Sequence, residues 1–515
     1  MPKCADAMLT AARSRARSAT TVLGLLVTLL AYTALPAGAA QPHWGPFAEP
    51  NPYLGPVGTS TMHGDAGSSD TTPLPGPGTG PLTMTAYPLV SACPTILQGS
   101  DLLVVALCTS AVGRVPTVHL IDPEAPTSPF GGSLAQLKLA KGSLLGGVYA
   151  FLDNNDRLVA VDGERRLLRI GHSQNPGGDW ELTVDSVIDL SGIIPPGDNV
   201  TGLTPDWDGN VWFATGKGLV GVVNTVGIAY TYALPAGEQV ENSISTSPAG
   251  TSVASTHALY QFSFNGAAIQ EDWRQEYDRG TARKPGQLSW GTGSTPTYFG
   301  SSTGSDFVSI VDNADPQVNL LVYKVDTGEE ICNIPVLGSP GGSENSHIGI
   351  GDSVFVAGTY GYPYPLLPEG AGPAVPESAP FTGGMTRVDI DPVGCHTVWS
   401  QEIRSSAVPH LSTDDGLLYT VVREGSDSTT PLDGFTFAVI DPADGEVLST
   451  KPLPGTIVND TLQMSGLITE KGDYWQGTVT GILRLRADDH PGTGSSGSAD
   501  SGSTGSGSTG SGSTG

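Results

Sequence analysis

Residues 202–223 read "GLTPDWDGNVWFATGKGLVGVV". Short runs of Val, Leu, Thr, Phe and Trp are separated by "PDWDG" and "GKG", the pattern of β-strands joined by tight turns. Asp206, Asp208 and Asn210 admit a second reading, a calcium loop. A loop of the EF-hand kind needs a D-x-[DN]-x-[DN]-G frame closed by a glutamate. Here the glycine falls at 209 and not after Asn210, where Val211 stands, and no glutamate follows before Glu238. Sister turns elsewhere, "DNNDR" from Asp153, "SPAGT" from Ser247, "GIGDS" from Gly349, "TDDGL" from Thr413 and "TEKGD" from Thr469, keep turn formers while the acids vary. A hairpin turn explains all of them, so the acids of 206–210 are read as turn residues.

The same hairpin recurs along the chain. It opens units at "YAFLDNNDRLVAV" (Tyr149), "NSISTSPAGTSVAST" (Asn242), "TPTYFGSSTGSDFVSI" (Thr295), "NSHIGIGDSVFVAG" (Asn345), "HLSTDDGLLYTVV" (His410) and "SGLITEKGDYWQGT" (Ser465). A closing phrase of aspartate, turn and outer strand follows at Val118, Leu321, Thr386 and Phe437. With the early strand "LLVVALC" at Leu102, these make about eight units spaced roughly 40 to 60 residues apart, the length of a four-stranded propeller blade. Helical periodicity is almost absent. The fold class is therefore all-β, a single β-propeller with eight blades, or seven as the fallback. The last unit, ending in "TGILRLRA" at Thr480, lacks an outer strand. "PLTMTAYPL" from Pro81 is expected to supply it, closing the ring and leaving no open sheet edge.

Outside the repeats the chain changes character. Basic Arg13, Arg15 and Arg17, an apolar run from Thr21 to Leu35 and "PAGAA" ending at Ala40 read as a signal peptide over residues 1–40. Residues 41–81 are Pro/Gly-rich and read as an extended arm without a core of its own; 82–487 are the propeller; 488–515 are a Gly/Ser/Thr tail expected to be disordered. The mature chain is expected to be secreted and extracellular, without a membrane span or anchor. Of five cysteines, Cys4 leaves with the signal; Cys93, Cys108, Cys332 and Cys395 remain. Four cysteines allow three pairings, and we favour sequence neighbours, Cys93 with Cys108 and Cys332 with Cys395. No zinc or haem spacing is present.

Lys and Arg number 24 against 51 Asp and Glu, a net charge of −27 across 515 residues. Such a surface repels phosphate backbones, which argues against nucleic acid as a partner. A small molecule or an extracellular protein or polymer is the expected partner, and a monomer the expected state.

The phrases "VYKVDTGEEICNIPVL" (322–337) and "AVIDPADGEVLSTKPL" (438–453) resemble the repeat of quinoprotein-like propellers. "MHGDAGSSDTTPLPGPGTGPL" (62–82), "PDWDGNVWFATGKGLVGVV" (205–223), "VENSI" with "THALYQF", "KPGQ" with "IVDNADP", and "ENSHIG" (344–349) together look like secreted bacterial PQQ-binding-like (quinoprotein alcohol dehydrogenase-like) β-propeller proteins of unassigned activity. The likeness runs from about Met62 to Arg486 and implies a propeller, not a bound PQQ. A vicinal cysteine pair, tryptophan docking repeats and a haem motif, which dehydrogenases of this kind carry, are not found.

Three units are preceded by polar segments that would gather at one mouth of the central channel: Glu241 and Asn242; Lys284 and Gln287; Glu344 and Asn345. Ligand sites on rigid scaffolds collect at such ends. Glu241, Asn242, Glu344 and Asn345 offer the hard oxygens that calcium takes, and calcium there would polarise a lactone or orient a quinone. The plain alternative is that Asn-Ser satisfies backbone groups where each inner strand starts and Glu is solvated. Asp312, in "DNADP", either faces the channel or turns the chain. His63 and Asp65 in "MHGD" form a candidate general-base pair on an arm that would fold over the channel as a lid, and His410 opens an inner strand. No nucleophile elbow, HExxH or phosphate loop occurs. "NVT" at Asn199 and "NDT" at Asn459 would carry glycans only in a host that glycosylates them. The leading expectation is a propeller binding a ligand or partner at its channel mouth. The alternative is an enzyme, either a PQQ-type oxidoreductase or a calcium-dependent lactone hydrolase, and whether the chain is an enzyme stays open.

Overall fold

In the opening stretch the structure makes Asp206 a bracket for a hairpin. Its Oδ1 accepts the backbone N–H of Asp208 and Asn210, and its Oδ2 accepts Asn210 Nδ2 and Trp212 Nε1. Gly209 takes φ +82°, a left-handed conformation that costs glycine little, and the Tyr53 ring lies where a Cβ would stand. Asp153 and Asp162 bracket their turns in the same way, each adding an ion pair to an arginine four residues on. The acids of these turns are consumed by the turn itself.

The computed structural model describes residues 44–125, 131–142, 149–242, 244–368 and 370–488. The expected signal peptide and all of the tail after residue 488 lie outside the described residues. Eight sheets, seven of four strands and one of five, form a ring, an eight-bladed β-propeller whose blades each have four antiparallel strands. The blades span 91–138, 150–189, 200–233, 245–276, 297–335, 348–401, 410–452, and 466–487 completed by Leu82–Tyr87. In that last blade Leu82–Tyr87 pairs antiparallel with Gly481–Ala487, from Leu82 with Ala487 to Tyr87 with Ile482. The missing outer strand is therefore the one expected, and it ties the start of the ring to its end. Helix is confined to one 3₁₀ turn, Ile457–Asn459, among the described residues, and no helix there is long and apolar enough to cross a membrane.

The cores lie between blades. Among the described residues, the buried apolar side chains sort into eight clusters, each drawing on two adjacent blades, the last (Tyr87, Ile96, Val104, Trp475) on the eighth and first. A single blade buries neither face unaided, so ring closure is a condition of stability. The disulfides follow the favoured pairing: Cys93–Cys108 staples two strands of the first blade, and Cys332–Cys395 joins the outer strands of the fifth and sixth.

The arm behaves differently from a lid. Its first part crosses the hairpin-turn face, with Trp44 against Phe355 and Leu54 bridged to Asp153. It then enters the ring, and residues Thr59, Ser60, Ala66 and 68–72 are buried. The innermost strand of every blade turns one edge to the channel, where its N–H groups need acceptors. Arm carbonyls supply them: Thr59 to Gln98 N, Ser60 to Leu152 N, Ala66 to Thr246 N, Gly67 to Tyr298 N, Ser69 to Gly349 N and Asp70 to Leu411 N, all at 2.8–3.0 Å. Six of the eight blades are thus bonded to one continuous segment. Thr71–Thr72 extends the seventh blade inward as a parallel strand beside His410–Ser412. The arm has no core of its own because it shares that of the ring.

Candidate functional site

The segments that lead into the innermost strands of blades four, five and six lie at the end of the channel opposite the hairpin turns, here called the approach face. Glu241, Asn242 and Glu344 come together there. Asn242 Nδ2 donates to Gly293 O and stands 3.4 Å from Glu344 Oε1, while Tyr149 Oη reaches Asn242 Oδ1 at 3.4 Å. The Glu344 carboxyl packs on Gly293, where any Cβ would collide with it, so glycine is required at that position. Glu344 is 8% exposed, and one carboxyl oxygen, Oε2, has no hydrogen-bond partner. Burial pushes its pKa up to about 8, with Glu241 adding repulsion against the relief given by Leu288 N–H and Asn242. Burial, helped by Asp198, pushes Glu241 up to about 7. Near pH 7 this pair holds at least one proton and is a hydrogen-bond donor as well as an acceptor.

The other sequence candidates are used locally. Lys284 Nζ donates to Ala314 O at 2.5 Å and Gly341 O at 3.1 Å and lies 3.6 Å from Asp315, and burial lowers its pKa. Gln287 Oε1 accepts Lys284 N, and Asp312 accepts Ala314 N, Asn319 N and Asn319 Nδ2. Asn345 turns away from the carboxyl pair and donates to Gln463 Oε1 at 3.0 Å. Three of the four residues considered for calcium therefore converge and the fourth does not. Calcium takes six to eight oxygens, whereas Asn242 here presents its NH₂ to Glu344 and Gly293, so the arrangement as it stands does not fit that ion. It is also a poor match to PQQ, a planar tricarboxylate: the nearest cations are Arg283, which donates Nε to Gly372 O and one Nη to Gln287 O, and Lys284, bonded to two carbonyls.

On the arm, His63 pairs with Asp70, not Asp65: His63 Nδ1 is 2.9 Å from Asp70 Oδ1. Asp65 instead accepts Ser69 N and Ser69 Oγ, and burial pushes it up to about 6. His410 Nε2 lies 3.9 Å from the same Asp70 oxygen, and His347, fully buried and lowered to about 4 by that burial, faces Asp70 as well. No three His, Cys, Asp or Glu side chains among the described residues are placed to hold a metal ion. A cavity of about 30 Å³ between His63, Asp65, Tyr149 and Ile244 has room for a water or two. The channel is filled by its own arm.

A second opening lies beside the mouth. A cleft of about 290 Å³ runs between the first and eighth blades and the long loop 358–384, lined by Pro94, Leu288, Tyr364, Leu366, Leu462 and Met464. Leu288 and Tyr364 line its inner part; Leu288 N–H bonds Glu344, and the Tyr364 hydroxyl is pushed up by burial and then by Glu344 and Asp460. The loop is fastened by Tyr362, whose hydroxyl donates to Asp460, itself paired to Arg423 at 3.3 Å. Sequence reading missed Tyr364, Leu288, Asp70 and His347. The one available signal was "YGYPYPLLP" (360–368), an aromatic and proline run interrupting the sixth repeat.

Comparison with known proteins reveals the fold and little more. No family model matches the chain. An uncharacterized protein of Archaeoglobus fulgidus is 25% identical over 409 residues, covering 70% of this chain and 76% of its own. Among solved structures, the quinohemoprotein alcohol dehydrogenase ADHIIG from Pseudomonas putida HK5 aligns with a TM-score of 0.53 at 10% identity, over 83% of this chain and 80% of that one. The Dos1 propeller aligns at 0.48 and 11% identity, over 79% and 94%.

Proposed function

We propose that this chain is an exported propeller that binds a small ligand on its approach face, in the cleft beside the channel mouth. The observation that carries this reading is an apolar cleft of about 290 Å³ set against a buried, partly protonated carboxyl pair, on the face opposite the plugged end. Apolar lining with a few convergent polar groups is the usual constitution of a small-molecule site, and this volume sits at the lower end of the range of about 300–1,000 Å³. Two disulfides fit a chain that works outside the cytoplasm.

The test uses Nile red, a neutral apolar dye, with the native protein and with Leu366→Glu, a change at an exposed position of the rim. Dye emission should rise with the native protein and fall back with the variant. Equal emission from both proteins overturns the reading. Calcium and PQQ, added separately in a melting experiment, are expected to leave the midpoint unchanged; a rise with either would favour an enzyme of that cofactor class.

A further inference from the structure

We propose that the cleft takes a linear acyl carboxylate, its chain against Leu366, Leu462, Met464 and Val479 and its carboxylate on Arg114. This rests on the cleft being a ligand site, as set out above, and adds the chemical class. Arg114 is the one charged residue that lines the cleft. Its guanidinium is exposed and has neither a hydrogen-bond nor an ion-pair partner among the described residues. Neighbouring arginines differ: Arg283 and Arg404 are bonded to backbone carbonyls, and Arg423 to Asp433 and Asp460.

Arg114 is held in place by its turn. Ser110 Oγ donates to Val112 O and accepts Val115 N–H, and Ala111 N donates to Val90 O, so the turn is closed on both sides. On a surface of net charge −27, an unpaired arginine at the lip of an apolar cleft is a local exception, and an anion there finds attraction where the rest of the surface repels it. Orientation follows from the two ends. The inner wall of Leu288 and Tyr364 offers no cation, so the head faces outward to Arg114 and the tail inward to Tyr364. Exposed Val90, Val112 and Val458 continue the apolar surface beyond the lip, linked through Val90 N to Thr480 O and Thr480 Oγ1 to Val458 O. Exposed apolar surface of this continuity marks an interaction site. The cleft has the dimensions of a single chain rather than of a protein interface.

Titration calorimetry with dodecanoate, dodecanol and dodecylamine, each below its aggregation concentration, tests the assignment on the full chain and on Arg114→Gln. A charge-assisted arginine–carboxylate contact predicts dodecanoate about tenfold tighter than either other probe. Arg114→Gln should lower dodecanoate to the level of dodecanol while leaving dodecanol unchanged. Equal binding of dodecanoate and dodecanol to the native chain, a preference for dodecylamine, or a preference that survives Arg114→Gln overturns the carboxylate assignment and leaves the cleft standing. No binding of any of the three overturns both.

Discussion

Replacing Glu344 with glutamine should make this protein less sensitive to alkaline pH. In the folded chain the Glu344 carboxyl titrates near 8 against 4.5 for an unhindered glutamate, so between those values the native state holds a proton that the unfolded state has released. Stability then falls as pH rises through that window, by about 1.4 kcal/mol per pH unit for one group. Across the interval of 8 − 4.5 = 3.5 units the ceiling is about 5 kcal/mol, and sharing of the repulsion with Glu241 brings it nearer 4. Glu344→Gln removes the ionisation and keeps the shape. At pH 5 variant and native protein should melt within a degree or two of each other. At pH 9 the variant should melt higher, by roughly 5 °C if about 1–2 °C accompanies each kcal/mol in a chain of this length. Differential scanning calorimetry at one scan rate, at half-unit steps from pH 5 to 9, reads this directly. Parallel curves for the two proteins would refute the reasoning, since they would mean that Glu344 ionises without cost and is therefore not desolvated.

The buried histidines act in the opposite direction. Burial lowers His119 and His347 from 6.5 to about 4, so below pH 6.5 the unfolded state takes up protons that the folded state refuses; stability should fall from pH 6.5 toward 4, and His347→Gln, if folded, should flatten that slope. Gly64 sits in the arm at φ +80° with the Thr71 backbone where a Cβ would go, so Gly64→Ala should cost about 1–3 kcal/mol and lower the melting midpoint, whereas the same change at Gly80, which has open space around it, should cost little. Opening Cys332–Cys395, which closes 63 residues, should cost about 4 kcal/mol against about 3 for the 15-residue Cys93–Cys108 loop; serine double variants compared in urea would check the order.

Some features were legible because local chemistry dictates them. The alternation in "NVWFAT" and the turn chemistry of "PDWDGN" need no distant partner, and repetition of that phrase revealed the blade. The destination of Leu82–Tyr87 was legible because the last repeat lacked one strand and a single unassigned β-like run remained. The same logic failed for residues 59–72. "TSTMHGDAGSSDTT" carries too little apolar surface to read as a packed segment, and what buries it is hydrogen bonding to the inner strands, which takes almost any side chain. For that reason His63 was matched with Asp65, two residues away, when its partner is Asp70. Among the polar approach segments, Asn242 reaches Glu344 while Asn345, adjacent in sequence to Glu344, faces Gln463.

By itself the sequence determined the class of the fold, the repeat and the strand that closes the ring, since each follows from periodicity and turn chemistry within about fifty residues. Only the tertiary structure decided what fills the channel, which carboxyls meet and where the cleft opens. Those depend on distances between residues such as Asn242 and Glu344, 102 positions apart, and such distances exist only once eight blades have closed on one another.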